Sequence, residues 1–148
     1  MATMIAARTP DPPGINRFRI CGYGLCVRDG EYVRFVIGFE VLDVGRFREM
    51  AKAMVAVSRD EPGTVVYDWY LDEAAGSGTL YEAYASADAL RAHGAGAVFT
   101  ELAPRYADAV RVAKVDVFGA AEGFPRRDVL GAPTTWWGGP IAAVTDAQ

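Results

Sequence analysis

The stretch EPGTVVYDWYLDEAAGSGTLYEAYASADALRAH, Glu61 to His93, decides the fold. It opens on Glu61-Pro62-Gly63. Pro fixes φ and Gly accepts a positive φ, so the pair suits the centre of a type II turn. Residues 64–71, TVVYDWYL, are β-branched and aromatic and read as a strand. Asp72 to Ser77 reads as a turn, and residues 78–84 as a further strand. Ser86 is placed to cap a helix, with Asp88 at its positive end, and that helix closes on His93-Gly94.

The segments on either side complete a pattern. From Tyr32 to Leu42, Val33, Phe35, Ile37, Phe39 and Val41 alternate with Arg34, Gly38 and Glu40, which is the period of a half-buried strand. Asp43 is an N-cap for a helix through about Ser58, with Phe47, Met50, Ala51, Met54, Val55 and Val57 near helical spacing. After His93 a helix is expected over about 97–109, bent at Pro104, and then a strand over 110–118. The order strand, helix, strand, strand, helix, strand is the βαββαβ ferredoxin-like unit of the α+β class. Both helices cover one face of the sheet. The other face, expected to carry Tyr, Val and Trp, is left to pack on a second copy, so a homodimer is expected.

Residues 1–30 read as an extension: a Pro-rich lead, then a strand over 17–28 that turns at Asp29-Gly30. Residues 31–119 are the domain. Residues 120–148 are a Gly/Pro-rich arm whose Trp136-Trp137 pair is expected to dock on its own domain or on a partner. Cys21 and Cys26 have no metal or redox spacing and read as buried thiols.

The 148-residue chain is 51% hydrophobic, enough for one core, and carries a net charge of -4. That charge, with no Lys/Arg run, argues against a nucleic-acid partner. No segment has the roughly 20 apolar residues of a membrane helix. The expectation is a cytoplasmic protein. No GxGxxG follows a strand and no GxxxxGK[ST] occurs, so dinucleotide and P-loop readings lack support. One histidine and two badly spaced cysteines do not make an ordinary zinc site, and no metal is expected.

Glu61-Pro62-Gly63, Tyr81-Glu82-x-Tyr84, Ser86 and Ala92-His93 together resemble the antibiotic biosynthesis monooxygenase (ABM) family, with its quinol monooxygenase branch, over roughly residues 32–118. The resemblance implies ferredoxin-like units paired into a dimeric α/β barrel. It also implies oxygenation of an electron-rich aromatic by O2 with no cofactor. A haem-degrading sister branch fits poorly: it has Trp where His93 stands, and its ligand histidine falls at Ala103. Isomerases, cyclases and small-ligand binders share the fold and stay open as alternatives.

Such an enzyme needs an apolar aromatic pocket and a base that deprotonates the substrate. His93 is the one side chain with an ordinary pKa near neutrality, yet its place before Gly94 also suits a helix end. Glu82, flanked by Leu80 and Tyr84 on its strand face, is a candidate base if buried, or else an ion-pair partner of Arg34. Tyr84 is a hydrogen-bond donor to substrate or a core aromatic. Trp69 and Tyr67 share a face and either stack on a flat substrate or fill a dimer core. Tyr81, Phe35, Phe99 and Arg34 complete the candidate substrate contacts, Phe35 and Phe99 reading first as core.

Overall fold

The computed structural model describes residues 33–119 and 126–137. The extension and its two cysteines lie outside the described residues. Five strands and two main helices follow one another: β1 Val33–Val41, α1 Val44–Ser58, β2 Thr64–Asp72, β3 Ser77–Tyr84, α2 Ala87–Gly94, β4 Val110–Gly119 and β5 Thr134–Trp136. The sheet order is β2-β3-β1-β4-β5. The first four strands pair antiparallel, as the ferredoxin-like unit requires, and β5 adds to the β4 edge in parallel.

Local chemistry sets the element ends. The Asp43 carboxylate accepts the Arg46 N–H at 2.9 Å and starts α1. The Ser86 hydroxyl accepts the Ala89 N–H at 3.1 Å and starts α2. Between α2 and β4 the chain is not one bent helix to residue 109. A π-turn, Val98–Leu102, closes with the Ala103 N–H on the Val98 carbonyl and runs into a short turn, Ala103–Arg105. Pro104 has no N–H to give, so the helical ladder is interrupted between the wide turn and the short one. The turn buries Val98 and Leu102 and sends Phe99 toward the sheet.

The core lies between the helices and one sheet face. Val33, Phe35, Ile37 and Phe39 of β1 meet Phe47, Met50 and Met54 of α1 there, with Leu80, Tyr84, Val115 and Val117. Phe39 stacks on Trp69 at 5.4 Å, and Phe47 meets the same indole edge-on at 5.7 Å. The packing leaves no room at Gly78, where an added Cβ would stand 2.5 Å from Phe47 Cζ. Gly78→Ala is therefore expected to destabilise the fold by about 1–3 kcal/mol, read by urea denaturation. An unchanged midpoint would mean that Phe47 has space to move.

Register decides which side chains reach the core face. Phe35 stands opposite Glu82 and Ile37 opposite Leu80, so these share the helix-covered face. Arg34, opposite Ala83, and Tyr81, opposite Val36 and Asp68, belong to the other face. Trp69, opposite Leu80, is turned to the helix side. The tryptophan that reaches the face away from the helices is Trp137 of the arm, stacked on Phe118 at 6.1 Å and donating its indole N–H to Asp116 at 3.1 Å. Among the described residues no helix is long and apolar enough to cross a membrane.

Candidate active site

A cleft opens between the helices and the sheet, in two lobes. One, of about 290 Å³, is lined by Phe39, Met50, Met54, Tyr67, Trp69 and Tyr106. The other, of about 580 Å³, is lined by Phe35, Leu90, Arg91, His93, Arg127 and Trp136. Ile37, Glu82, Phe99 and Leu130 line both and join them. The first lobe is almost wholly apolar and aromatic, and the second adds Arg91, His93, Arg127 and Asp128 to an apolar wall, a make-up usual for a small-molecule site.

His93 is fully inside, 2% exposed, although it stands in the last turn of α2. Its Nδ1 meets Glu61 Oε2 at 2.6 Å. The Glu-Pro-Gly turn makes that pair possible. Gly63 has φ +84, and a Cβ there would fall 2.6 Å from Ala89 Cβ, so the turn packs directly on α2. Thr64 donates its hydroxyl to the same Glu61 oxygen at 3.0 Å and fixes it. A carboxylate only accepts, so against an ionised Glu61 the Nδ1 atom is the donor, and in a neutral imidazole that tautomer leaves Nε2 with its lone pair. Nε2 is buried and has no hydrogen-bond partner among the described residues. Rings surround it: Tyr84 at 5.1 Å, Tyr67 at 5.2 Å and Phe99 at 5.5 Å from the imidazole centroid.

Glu82 is buried at the junction of the two lobes. Burial pushes its pKa up to about 8; the nearby Glu61 charge adds to the shift and the Tyr84 hydroxyl opposes it. That hydroxyl is close enough to act on the carboxyl but is not in hydrogen-bonding geometry with it, and it too is buried without a partner. Burial, then the charge of Glu82, holds the Tyr84 phenol far above its usual range, so it stays protonated. Tyr67 is shifted the same way, first by burial and then by Glu82 and Glu61. The Trp69 indole N–H is a further buried donor without a partner. A buried orphan costs free energy, so such groups at a cleft are expected to meet a ligand or water.

The structure thus brings together His93, Glu82, Tyr84, Tyr67, Trp69, Phe35 and Phe99 at or beside one cleft. It puts Arg34 and Tyr81 on the far side of the sheet, because side chains alternate along a strand and their neighbours Phe35 and Glu82 point inward. The Arg34–Glu82 ion pair is excluded for the same reason. In the sequence Glu61 is accounted for by its turn, and its carboxylate three positions before Thr64 is the one signal of a further role. Among the described residues no cluster of three or more His, Cys, Asp or Glu could hold a metal ion.

A family model described as antibiotic biosynthesis monooxygenase matches residues 43–124, more than half of the chain. The chain belongs to that family. Its fold is similar to that of MupZ from Pseudomonas fluorescens, at TM-score 0.54 and 20% identity over 61% of this chain and 73% of that one. It is similar to a conserved protein from Methanosarcina mazei, at TM-score 0.55 and 19% identity over 61% and 93%. It is also similar to SnoaB from Streptomyces nogalater, described as a cofactor-independent oxygenase, at TM-score 0.52 and 19% identity over 68% and 98%. No curated protein matches the chain by sequence.

Proposed function

We propose that the protein is a cofactor-independent monooxygenase that oxidises an electron-rich aromatic, a quinol, anthrone or polyketide-like phenol, with O2. The observation that carries this reading is the Glu61–His93 pair, with Nε2 unpartnered in an aromatic cleft. Family membership and the fold shared with SnoaB support it.

In this reading the substrate lies flat between Trp69 and Phe99, which line the cleft beside Tyr67 and Phe35. His93 Nε2 removes a proton from the substrate, and Glu61 stabilises the imidazolium that forms. The resulting carbanion or phenolate gives one electron to O2, and the two radicals combine into a peroxide. His93 returns its proton to the peroxide, the second C–H proton is then lost as the C=O bond forms, and the O–O bond breaks with its outer oxygen leaving as water. For an anthrone-type CH2 the products are a C=O group and water, so both oxygen atoms and four electrons are accounted for. Near neutral pH Glu82 is mostly protonated and donates a hydrogen bond to a substrate oxygen.

The sheet face away from the helices carries Val36, Phe118 and the half-exposed Trp137, and we propose that it pairs with a second copy. Sedimentation should give a dimer at micromolar concentration. A monomer would remove this part of the reading.

The test is oxygen consumption in chelator-treated buffer across hydroquinones, dihydroxynaphthalenes and anthrones. Protein-dependent uptake with at least one of them is expected. Turnover without oxygen, or binding with no turnover, would replace the oxygenase with an isomerase, a cyclase or a binding protein on this fold.

A further inference from the structure

Residues 129–132 form a tight turn beyond the stretch matched by the family model. The Ala132 N–H returns to the Val129 carbonyl at 3.1 Å, and the two central residues, Leu130 and Gly131, have φ +54 and +70. Two successive positive φ values define a type I′ turn, which Asn-Gly suits best. Gly131 conforms. Leu130 does not: among the described residues it is the one non-glycine with a positive φ, a region that a γ-branched apolar side chain seldom occupies.

Nothing in the turn itself calls for leucine. The turn is anchored by Val129 N–H on the Thr134 hydroxyl at 2.8 Å, Thr134 N–H on Asp128 at 3.2 Å and Thr134 hydroxyl on the Ala132 carbonyl at 3.0 Å. Ala132 is buried in the core and Val129 packs against it, whereas Leu130 keeps 44% of its surface exposed. What sets Leu130 apart is its position: it lines both lobes of the cleft, at the junction it shares with Ile37, Glu82 and Phe99. Trp136, on the strand that follows, lines the His93 lobe, and its indole N–H is tied to the Arg127 carbonyl at 3.0 Å. A backbone held in an unfavourable conformation so that a side chain reaches a site is a pattern expected of functional positions.

We propose that Leu130 is a specificity-determining residue: its side chain forms the arm's apolar wall over the junction of the two lobes and is covered when a flat aromatic binds. The inference rests on the cleft being the site for such a molecule, as in the function proposed above.

The experiment measures binding, not turnover. A two-ring dihydroxynaphthalene and a three-ring dihydroxyanthraquinone are titrated against wild type, Leu130→Asn and Leu130→Met. The readout is quenching of tryptophan fluorescence, since Trp69 stands in one lobe and Trp136 in the other. Thermal melts run alongside. Asn suits the turn, so Leu130→Asn is expected to melt at the wild-type temperature or a few degrees higher. It is also expected to bind the three-ring probe about tenfold more weakly, the loss of one buried apolar side chain. Leu130→Met is expected to keep most of the affinity. Wild-type affinity in Leu130→Asn overturns the proposal. So does a melting temperature that falls together with the affinity, which would make Leu130 a fold residue. Wild type that binds neither probe overturns this proposal and the functional reading together. The expected binding pattern in a protein that consumes no oxygen sinks the oxygenase alone and leaves Leu130 as the wall.

Discussion

Replacement of His93 by alanine is expected to lower oxygen uptake with the best substrate roughly 100- to 10,000-fold, the range a positioned general base contributes. Nδ1 is held by Glu61 at 2.6 Å, and Nε2 is buried beside the cleft with nothing to bind. Removing the ring leaves Glu61 without its partner and opens a hole among Tyr67, Tyr84 and Phe99, so some stability will be lost as well. Two readouts separate chemistry from folding. Added imidazole should restore part of the rate in His93→Ala, and a folding defect would not respond. Glu61→Gln should lower the rate less, roughly 10- to 100-fold, because the ring stays but loses the charge that supports its protonated form. A His93→Ala protein with wild-type turnover would return His93 to a packing role and pass the proton transfer to Glu82.

Glu82→Gln carries the second large effect, on stability. Burial raises the carboxyl from an ordinary value of 4.5 to about 8. Between those limits the folded protein keeps a proton that the unfolded chain gives up. Stability from this group is therefore fully present below pH 4.5, is lost as pH rises, and levels off above about 8. The full slope is roughly 1.4 kcal/mol per pH unit. Gln is neutral throughout and has no such slope. At pH 5 the two proteins should unfold in urea within about 1 kcal/mol of each other. At pH 8 the Gln variant should be the more stable by on the order of 2–4 kcal/mol. Parallel pH profiles would mean that Glu82 ionises freely, and its role as a neutral hydrogen-bond donor would fall with that result. The same substitution should affect turnover less than His93→Ala, since an amide still donates.

Much of the fold was legible because each element carried its own signal. Val33 to Val41 alternates with period two, Asp43 and Ser86 cap helices, and Pro62-Gly63 can only turn. The structure places each of these where expected. Element ends moved by a residue or so, and the one larger difference, the π-turn at 98–102, follows from the missing N–H of Pro104. The site was less legible because it depends on register and on long-range contact. Glu82 and Arg34 share a sheet, yet the pairing sets Glu82 opposite Phe35, which turns Arg34 to the far side. Tyr81 was grouped with its motif neighbours although it must point away from both. Glu61 was hidden because the turn accounted for it; only the packing of that turn on α2 brings it to His93, 32 positions later. The Trp136-Trp137 pair signals that the arm docks, but a Gly/Pro-rich tail does not reveal which edge strand it will join or which cleft it will wall.

As a monooxygenase, the proposed enzyme transfers one atom of O2 to its aromatic substrate. The most direct test is turnover of an anthrone under 18O2, with mass analysis of the product and of the water. One labelled oxygen in the product, with label also in the water, and loss of both in His93→Ala, is the predicted result. A product formed at the same rate without oxygen, or carrying only solvent oxygen from the moment it forms, would contradict the claim.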